Sequence, residues 1–407
     1  MSVEFRALQP QEREACLNLW RTVWPDESPD TWQRYFYGDV EWLPYYTQVA
    51  VEEGRIVSTA HICKRIVACG TFQLTLGGIT GVATRPEYRG RGYSTECLRR
   101  AITIMEADAM DFSLLFLHNP GMHDHCAPPG YVTLPLPVLE AALTPEAVPR
   151  STDLLVRQAT ANDLPQIREI YNRYNHRRPL AVQRNEAYWR DWLRIHPGHL
   201  PDTLRVATDA EGKVLGYIRI EKLPGNAEEA GARVIECGWI LDLRPEVEQQ
   251  VVTALLDDVI AQLPPVPQRL LRLEVAMEPA LQTALEPVAE RTAARWQRSA
   301  MVRLLHRDNL LRGLTLDWNE RWIAAGRPTG QVAFQTPYGP VLLDASGPFL
   351  RVQPIDTEES ALGQETFFEL LIGLREPATI APDARCHTLL NTLFPRHACV
   401  YWPADQF

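Results

Sequence analysis

Ile79-Thr80-Gly81-Val82-Ala83-Thr84-Arg85-Pro86-Glu87-Tyr88-Arg89-Gly90-Arg91-Gly92-Tyr93-Ser94 is the stretch on which the fold turns. Residues 79–84 alternate as a strand. The chain beyond the turn places Leu98, Ala101, Ile102 and Met105 on one helical stripe. Between them lies a basic turn with two glycines. A strand, a glycine turn and a helix start make an anion site, because the first N–H groups of a helix lack intrahelical acceptors and the dipole adds positive potential. Gly90 and Gly92 let a diphosphate approach the backbone, and Arg89 and Arg91 add charge. There is no Gly-Lys-Ser/Thr and no GxGxxG, so neither a P-loop nor a dinucleotide fingerprint is present. Without a ligand, the same residues read as a tight basic strand-to-helix turn.

Working outward, the chain repeats itself at about 150–160 residues. Phe5-Arg6-Ala7 and an apolar stripe at Cys16, Leu19, Trp20 and Val23 match Val156-Arg157-Gln158 and a stripe at Leu164, Ile167, Tyr171 and Tyr174. Trp32, Tyr35 and Phe36 match Trp189, Trp192 and Leu193. The hairpin pattern of residues 48–57 returns at 205–215. Residues 239–251 then repeat the strand, the Arg-Pro step and the helix, but without the glycines and arginines. A duplicated unit would therefore have lost what the first loop does. Past residue 300 the pattern changes to strands at 332–336, 341–344 and 349–352, with helices around 366–372 and 385–393. The expected fold class is mixed α/β (α+β): two like units at 1–150 and 151–300, and a different small one at 301–407.

The whole chain has 407 residues, of which 45% are apolar and 23% charged, so a disordered chain is excluded. Its net charge of −10 disfavours a nucleic-acid partner. No stretch reaches the ~20 apolar residues that cross a bilayer, and the first residues lack a signal-peptide pattern, so no membrane partner and a cytoplasmic location are expected. Eight scattered cysteines with no CxxC pair read as reduced thiols.

The residues Val82-Ala83-Thr84 through Arg89-Gly90-Arg91-Gly92-Tyr93-Ser94 resemble the acetyl-CoA pyrophosphate motif of GNAT N-acetyltransferases. Arg89, Gly92 and Ser94 stand at its three fixed places, and serine at the last is a mild departure. The organisation resembles the Eis (enhanced intracellular survival) group, which has an active GNAT unit, a degenerate second one and a sterol-carrier-like third. The resemblance implies acetyl-CoA as cofactor, with Val82, Ala83 and Thr84 holding the pantetheine arm. Residues Gly90, Arg91, Gly92, Tyr93, Ser94 and Thr95 would take the pyrophosphate, with His118 and Asn119 beside the cofactor. It also implies a homo-oligomer, a hexamer in that group.

In the Eis group a tyrosine is the acid that protonates the thiolate. Its place here holds Cys126, with His125, His123 and Tyr131 as further candidates, and a packed Cys126 with an unaided thiolate as the plain alternative. The carboxylate at Phe407 would serve as base, a role open to a group charged at pH 7; a frayed terminus is the alternative. His118, His123, Asp124, His125 and Cys126 are metal-ligand types, but no second ligand group stands out, and no metal is expected. Amine recognition would fall to Trp24, Asp26, Tyr35, Phe36 and Asp405, on a stretch from 24 to 46 read as helical and on the last residues. The expected activity is direct acetyl transfer to a primary amine, on an aminoglycoside-like polyamine or a lysine side chain. The competing reading is a non-catalytic acyl-CoA or lipid-binding sensor.

Overall fold

Alternating apolar residues build long antiparallel strands whose turns use left-handed residues. Strand β2 (Thr47–Glu52) joins β3 (Arg55–Cys69) through Glu53 and Gly54, with φ of 52° and 75°, as a two-residue hairpin requires. Strand β4 (Phe72–Thr84) returns on β3, and β1 (Glu4–Ala7) pairs with β2. Helix α1 (Arg13–Val23) leads from β1 towards β2. Helix α2 (Tyr93–Ala107) is the crossover that lets β5 (Phe112–Phe116) lie parallel to β4. The computed structural model describes residues 2–27, 32–39, 41–117, 130–144, 147, 150, 153–195, 203–275, 278–336, 338–356, 362–380, 384–395 and 399–405.

The chain then runs the same course again. Its parts are β7 (Leu155–Gln158), α3 (Leu164–Asn175), α4 (Glu186–Ile195), β8 (Leu204–Thr208), β9 (Val214–Leu223), β10 (Glu229–Trp239), α5 (Pro245–Ala261) and β11 (Gln268–Leu273). Strands β7 to β10 pair antiparallel in order, and β10 pairs parallel with β11. The last strand of each course crosses over. Strand β6 (Val132–Leu143) follows β5 in the chain but pairs with β11. Strand β12 (Ala289–Leu304), reached through helix α6 (Pro279–Leu285), follows β11 but pairs with β5, and β6 and β12 pair with each other. One mixed, mostly antiparallel sheet of twelve strands results, ordered β1-β2-β3-β4-β5-β12-β6-β11-β10-β9-β8-β7. The sequence pattern did not disclose this exchange, because pairing partners leave no periodicity.

Helices cover both faces. Strand β3 divides accordingly: Cys63, Val67 and Cys69 join the cluster with Cys16, Leu17, Leu19 and Trp20 of α1, whereas Ala60 and Ile62 join that with Cys97, Leu98, Ala101 and Met105 of α2. Residues after β12 pack into the α1 cluster. Helix α7 (Arg307–Ala324) buries Leu310, Leu314, Trp318 and Trp322, and its Asp317 accepts from Thr71 at the β3–β4 turn (3.0 Å). The sequence reading missed α7, because the exposed Leu316 and Ile323 lie off its buried stripe and blur the pattern. A three-stranded sheet of β13 (Gln331–Phe334), β14 (Val341–Asp344) and β15 (Arg351–Pro354) follows, with α8 (Gln364–Leu371) and α9 (Ala384–Leu393). The expected helical stretch over 24–46 is corrected in part: among its described residues, 32–38 are helical and Pro44–Tyr46 form a tight turn, while 24–27, 39 and 41–43 are not helical.

Candidate functional site

Strands β4 and β5 are registered from Leu76↔Phe112 to Ile79↔Leu115, and there the pairing ends although β4 continues to Thr84. On its other side, β4 bulges. His61 of β3 faces Thr80 and Thr59 faces Ala83, so Gly81 and Val82 fall between registered pairs. Gly81 adopts φ 56°, and its carbonyl accepts from Thr59 Oγ1 (2.7 Å) and Trp20 Nε1 (3.2 Å). A side chain at this position is excluded, since a Cβ would stand 2.4 Å from the Trp20 ring. Ala83 is tied to β3, its carbonyl accepting from Ser58 Oγ (2.9 Å), and Thr84 Oγ1 lies 2.8 Å from the same hydroxyl. Val82 has no ladder partner on either neighbouring strand among the described residues. An extended ligand can pair with such backbone.

Strand β4 delivers the chain into Arg85-Pro86, where the buried Arg85 binds Ile56 O (3.0 Å). Gly90 and Gly92 take φ of 76° and 78°, and nothing lies within 4 Å of where their Cβ atoms would be. The glycines thus serve the left-handed backbone and leave open space on the loop. The first N–H of α2 to close an intrahelical bond is that of Glu96, on Gly92 O (3.1 Å). The amides of 90–95 precede it, in the part of a helix suited to anions. Arg91 stands over the Tyr88 ring (5.0 Å) and reaches Glu52 Oε1 (3.4 Å), while Tyr93 donates to Glu52 Oε2 (2.7 Å). The sequence reading missed Glu52, the carboxylate that braces the loop. Ending β2, it looks like any strand acid. Arg89 Nε reaches Thr84 O (3.3 Å). These contacts fit a diphosphate on the loop and a thioester arm along β4.

On the α1 face, Tyr35 and Phe36 are buried against Trp20, with Phe36 stacked on it at 5.1 Å, and Trp24 stacks on Trp32 at 4.8 Å. Trp24, Tyr35 and Phe36 therefore belong to a packed aromatic wall, whereas Asp26 is exposed. His61, fully buried, lies 5.6–5.8 Å from the rings of Trp20, Tyr35 and Phe36, its Nδ1 2.8 Å from Thr47 Oγ1. Burial lowers its pKa to about 4, so it is neutral at pH 7.

Asp405 is a correction to the expected amine ligands. Its carboxylate is buried and held by Arg184 (Nε–Oδ1 2.9 Å and a second bond of 2.9 Å), with hydroxyls of Tyr188 (2.9 Å) and Tyr171 (3.2 Å) donating to it. A carboxylate so engaged has no face left for a substrate ammonium. Tyr131 is likewise buried, its hydroxyl 2.6 Å from Ser113 Oγ. His118, Asn119, His125, Cys126 and Phe407 lie outside the described residues, as does the histidine-rich segment. Among the described residues, no cluster of metal-ligating side chains occurs and no helix is long and apolar enough to cross a membrane. Described cysteines other than the half-buried Cys386 are buried, and burial pushes Cys69, Cys97 and Cys399 up to about 12.

Residues 4–124 match the acetyltransferase (GNAT) domain family. Phosphinothricin N-acetyltransferase from Streptomyces coelicolor is 34% identical over 94 residues, 22% of this chain and 53% of that protein, so the chain spans about half the length of this curated relative. Across both whole chains, the fold is shared with a conserved protein from Enterococcus faecalis (TM-score 0.71, 14% identity) and a GCN5-related N-acetyltransferase from Anabaena variabilis (0.70, 14%). Eis1 from Mycobacterium abscessus also shares it over both whole chains (0.64, 13%).

Proposed function

We propose that this chain is an acetyl-CoA-dependent N-acetyltransferase acting on a primary amine, with catalysis confined to the first GNAT unit. The observation that carries this is the coincidence of Val82, without a ladder partner, and the open Gly90–Gly92 loop at the two ends of one short segment. The backbone of Val82, Ala83 and Thr84 aligns the pantetheine arm, and the Val82 N–H is placed to polarise the acyl carbonyl. Amides of 90–95, with Arg89 and Arg91, hold the diphosphate. When bound, acetyl-CoA supplies a thioester carbonyl open to direct attack. A new N–C bond forms as the C–S bond breaks, the ammonium proton passes to a base, and the thiolate takes a proton. The base at Phe407, the acid at Cys126 or His125, and His118 and Asn119 beside the cofactor are roles assigned by resemblance.

The second and third units complete an Eis-like arrangement in this reading, with the second GNAT-like unit degenerate and the third sterol-carrier-like. The repeated pairing course of β1–β5 and β7–β11 supports the duplication. The acceptor side is formed with the help of the residues after 399. A cavity of about 330 Å³ there is lined by Phe116, Leu117, Arg233, Arg272, Glu274 and Tyr401, among others. The test is thiol release from acetyl-CoA across polyamines, aminoglycosides, amino acids and lysine peptides. Amine-dependent release is expected, and Gly92→Val abolishes it. Tight acetyl-CoA binding without turnover on any amine would contradict catalysis and favour a sensor.

A further inference from the structure

The second course of the sheet parts just as the first does. Strands β10 and β11 are registered up to Val234↔Leu273, and β10 then bulges and continues to Trp239. Where the first course opens towards the glycine loop, the second is closed from the α3 face. Glu236, two residues past the last parallel pair, meets Arg184 (2.6 and 3.1 Å) and accepts from Tyr217 (2.9 Å). The Arg184 side chain is 0% exposed and lies 3.9 Å from the Tyr171 ring centroid and 4.7 Å from that of Trp189. Its other partner is Asp405, itself 0% exposed. Burial opposes the guanidinium charge, but Asp405 and Glu236 outweigh it and raise the pKa well above the usual value.

The segment ending at Asp405 touches both courses. Val400 N–H donates to Pro179 O (3.1 Å) and Trp402 Nε1 to Asn175 Oδ1 (3.0 Å), both in the second. Tyr401 packs its ring 5.3 Å from Phe116, at the end of β5, where the first course opens. Val400, Tyr401 and Pro403 line the 330 Å³ cavity together with Phe116 and Leu117 of the first course and Arg233, Arg272 and Glu274 of the second. Tyr188, which donates to Asp405, also lies under the Arg65 guanidinium (5.3 Å), and Arg65 is paired with Asp39 (2.9 Å) beside the aromatic wall.

We propose that the second course is a holder for this segment: the buried Arg184–Glu236 pair captures Asp405, and Asp405 is the positioning residue that sets one wall of the amine cavity against Phe116. The word amine rests on the functional reading above; the capture does not. Asp405→Asn removes the charge that Arg184 grips but leaves the fold of the sheet. Asp163→Asn is the control, since Asp163 is also buried (side chain 5% exposed, against 0% for Asp405), is paired with the part-exposed Arg157 (2.7 Å) in the same course and lies at the start of α3, with no contact to residues 399–405 among its hydrogen bonds. Hydrogen exchange and steady-state kinetics are read on both.

Asp405→Asn is expected to speed exchange at the Val400 amide and at residues 112–117 by roughly tenfold or more, and to raise the amine KM by a similar factor. The acetyl-CoA KM stays within about twofold. Asp163→Asn leaves all three unchanged. Release of residues 399–405 with no change at 112–117, or the same response in both variants, overturns the proposal. If the unmodified protein acetylates no amine, the catalytic reading fails, and exchange at 112–117 still decides the holder.

Discussion

Two strand-to-helix junctions in this molecule share a topology and differ in chemistry. At the first, β4 enters α2 through Gly90 and Gly92, both left-handed, and the helix opens with Tyr93, Ser94 and Thr95. At the second, β10 enters α5 through Arg244 and Pro245, and the first turn of α5 carries Glu246 and Glu248, with Glu248 accepting from Trp239 Nε1 (2.7 Å). Acids there stabilise the helix dipole and repel a diphosphate. Inside the splay, the first course leaves Val82 without a ladder partner among the described residues, while the second places Arg184, Glu236 and Asp405 there. A pairing course alone therefore makes a cleft. Whether it holds a cofactor depends on a handful of side chains.

That contrast can be pushed hardest at Arg184. Arg184→Met strands two buried carboxylates, so unfolding in urea should show a loss of about 3–5 kcal/mol; a loss below about 1 kcal/mol would mean the site is wetter and looser than described. In the first course, His61 sets the next largest effect. Its folded pKa of about 4 lies below the ordinary ~6.5, so the unfolded chain binds more protons between those values. Stability from this group is fully present above pH 6.5 and is lost as pH falls through 4, by about 3 kcal/mol in all. His61→Gln should flatten that part of the stability profile; an unchanged profile would place the acid sensitivity elsewhere.

Smaller effects separate the two loops. Gly92→Val forces a branched side chain into φ 78°, at about 1–2 kcal/mol, and should weaken acetyl-CoA binding tenfold or more by calorimetry. Affinity within error of the unmodified protein would remove the loop from the site. Glu52→Gln loosens Arg91, whose side chain is 48% exposed and whose pairing is screened by solvent, so urea unfolding should show little change in stability. A slight gain in acetyl-CoA affinity is expected, because the guanidinium becomes free for the diphosphate; a large loss would show that bracing matters more than charge.

What the sequence disclosed follows from local physics. The glycine-arginine turn, the apolar stripe of α2, the hairpin at Gly54 and the Arg-Pro step before each helix are short-range signals. So is the fading of the motif at 239–251. The exchange of β6 and β12 and the bulge at Gly81–Val82 are set by pairing between strands, and the Arg184 ion pairs join residues 52 and 221 apart in the chain; no spacing rule links them. Asp405 illustrates the limit. Among closing aromatics it reads as a carboxylate waiting for an amine, and only the folded structure shows Arg184 already holding it. Glu52 and His61 were silent for the same reason: each gains its role from a partner on another element, Glu52 from Arg91 and Tyr93 at the loop and His61 from Thr47 on the next strand.

Counting acetyl-CoA per chain by titration calorimetry tests the central claim, that one course of the sheet binds the cofactor and the other holds the chain. The account predicts one site per chain, lost or strongly weakened in Gly92→Val and unchanged when Glu246 and Glu248 of α5 are neutralised. Two sites per chain, or one that survives Gly92→Val, would contradict it.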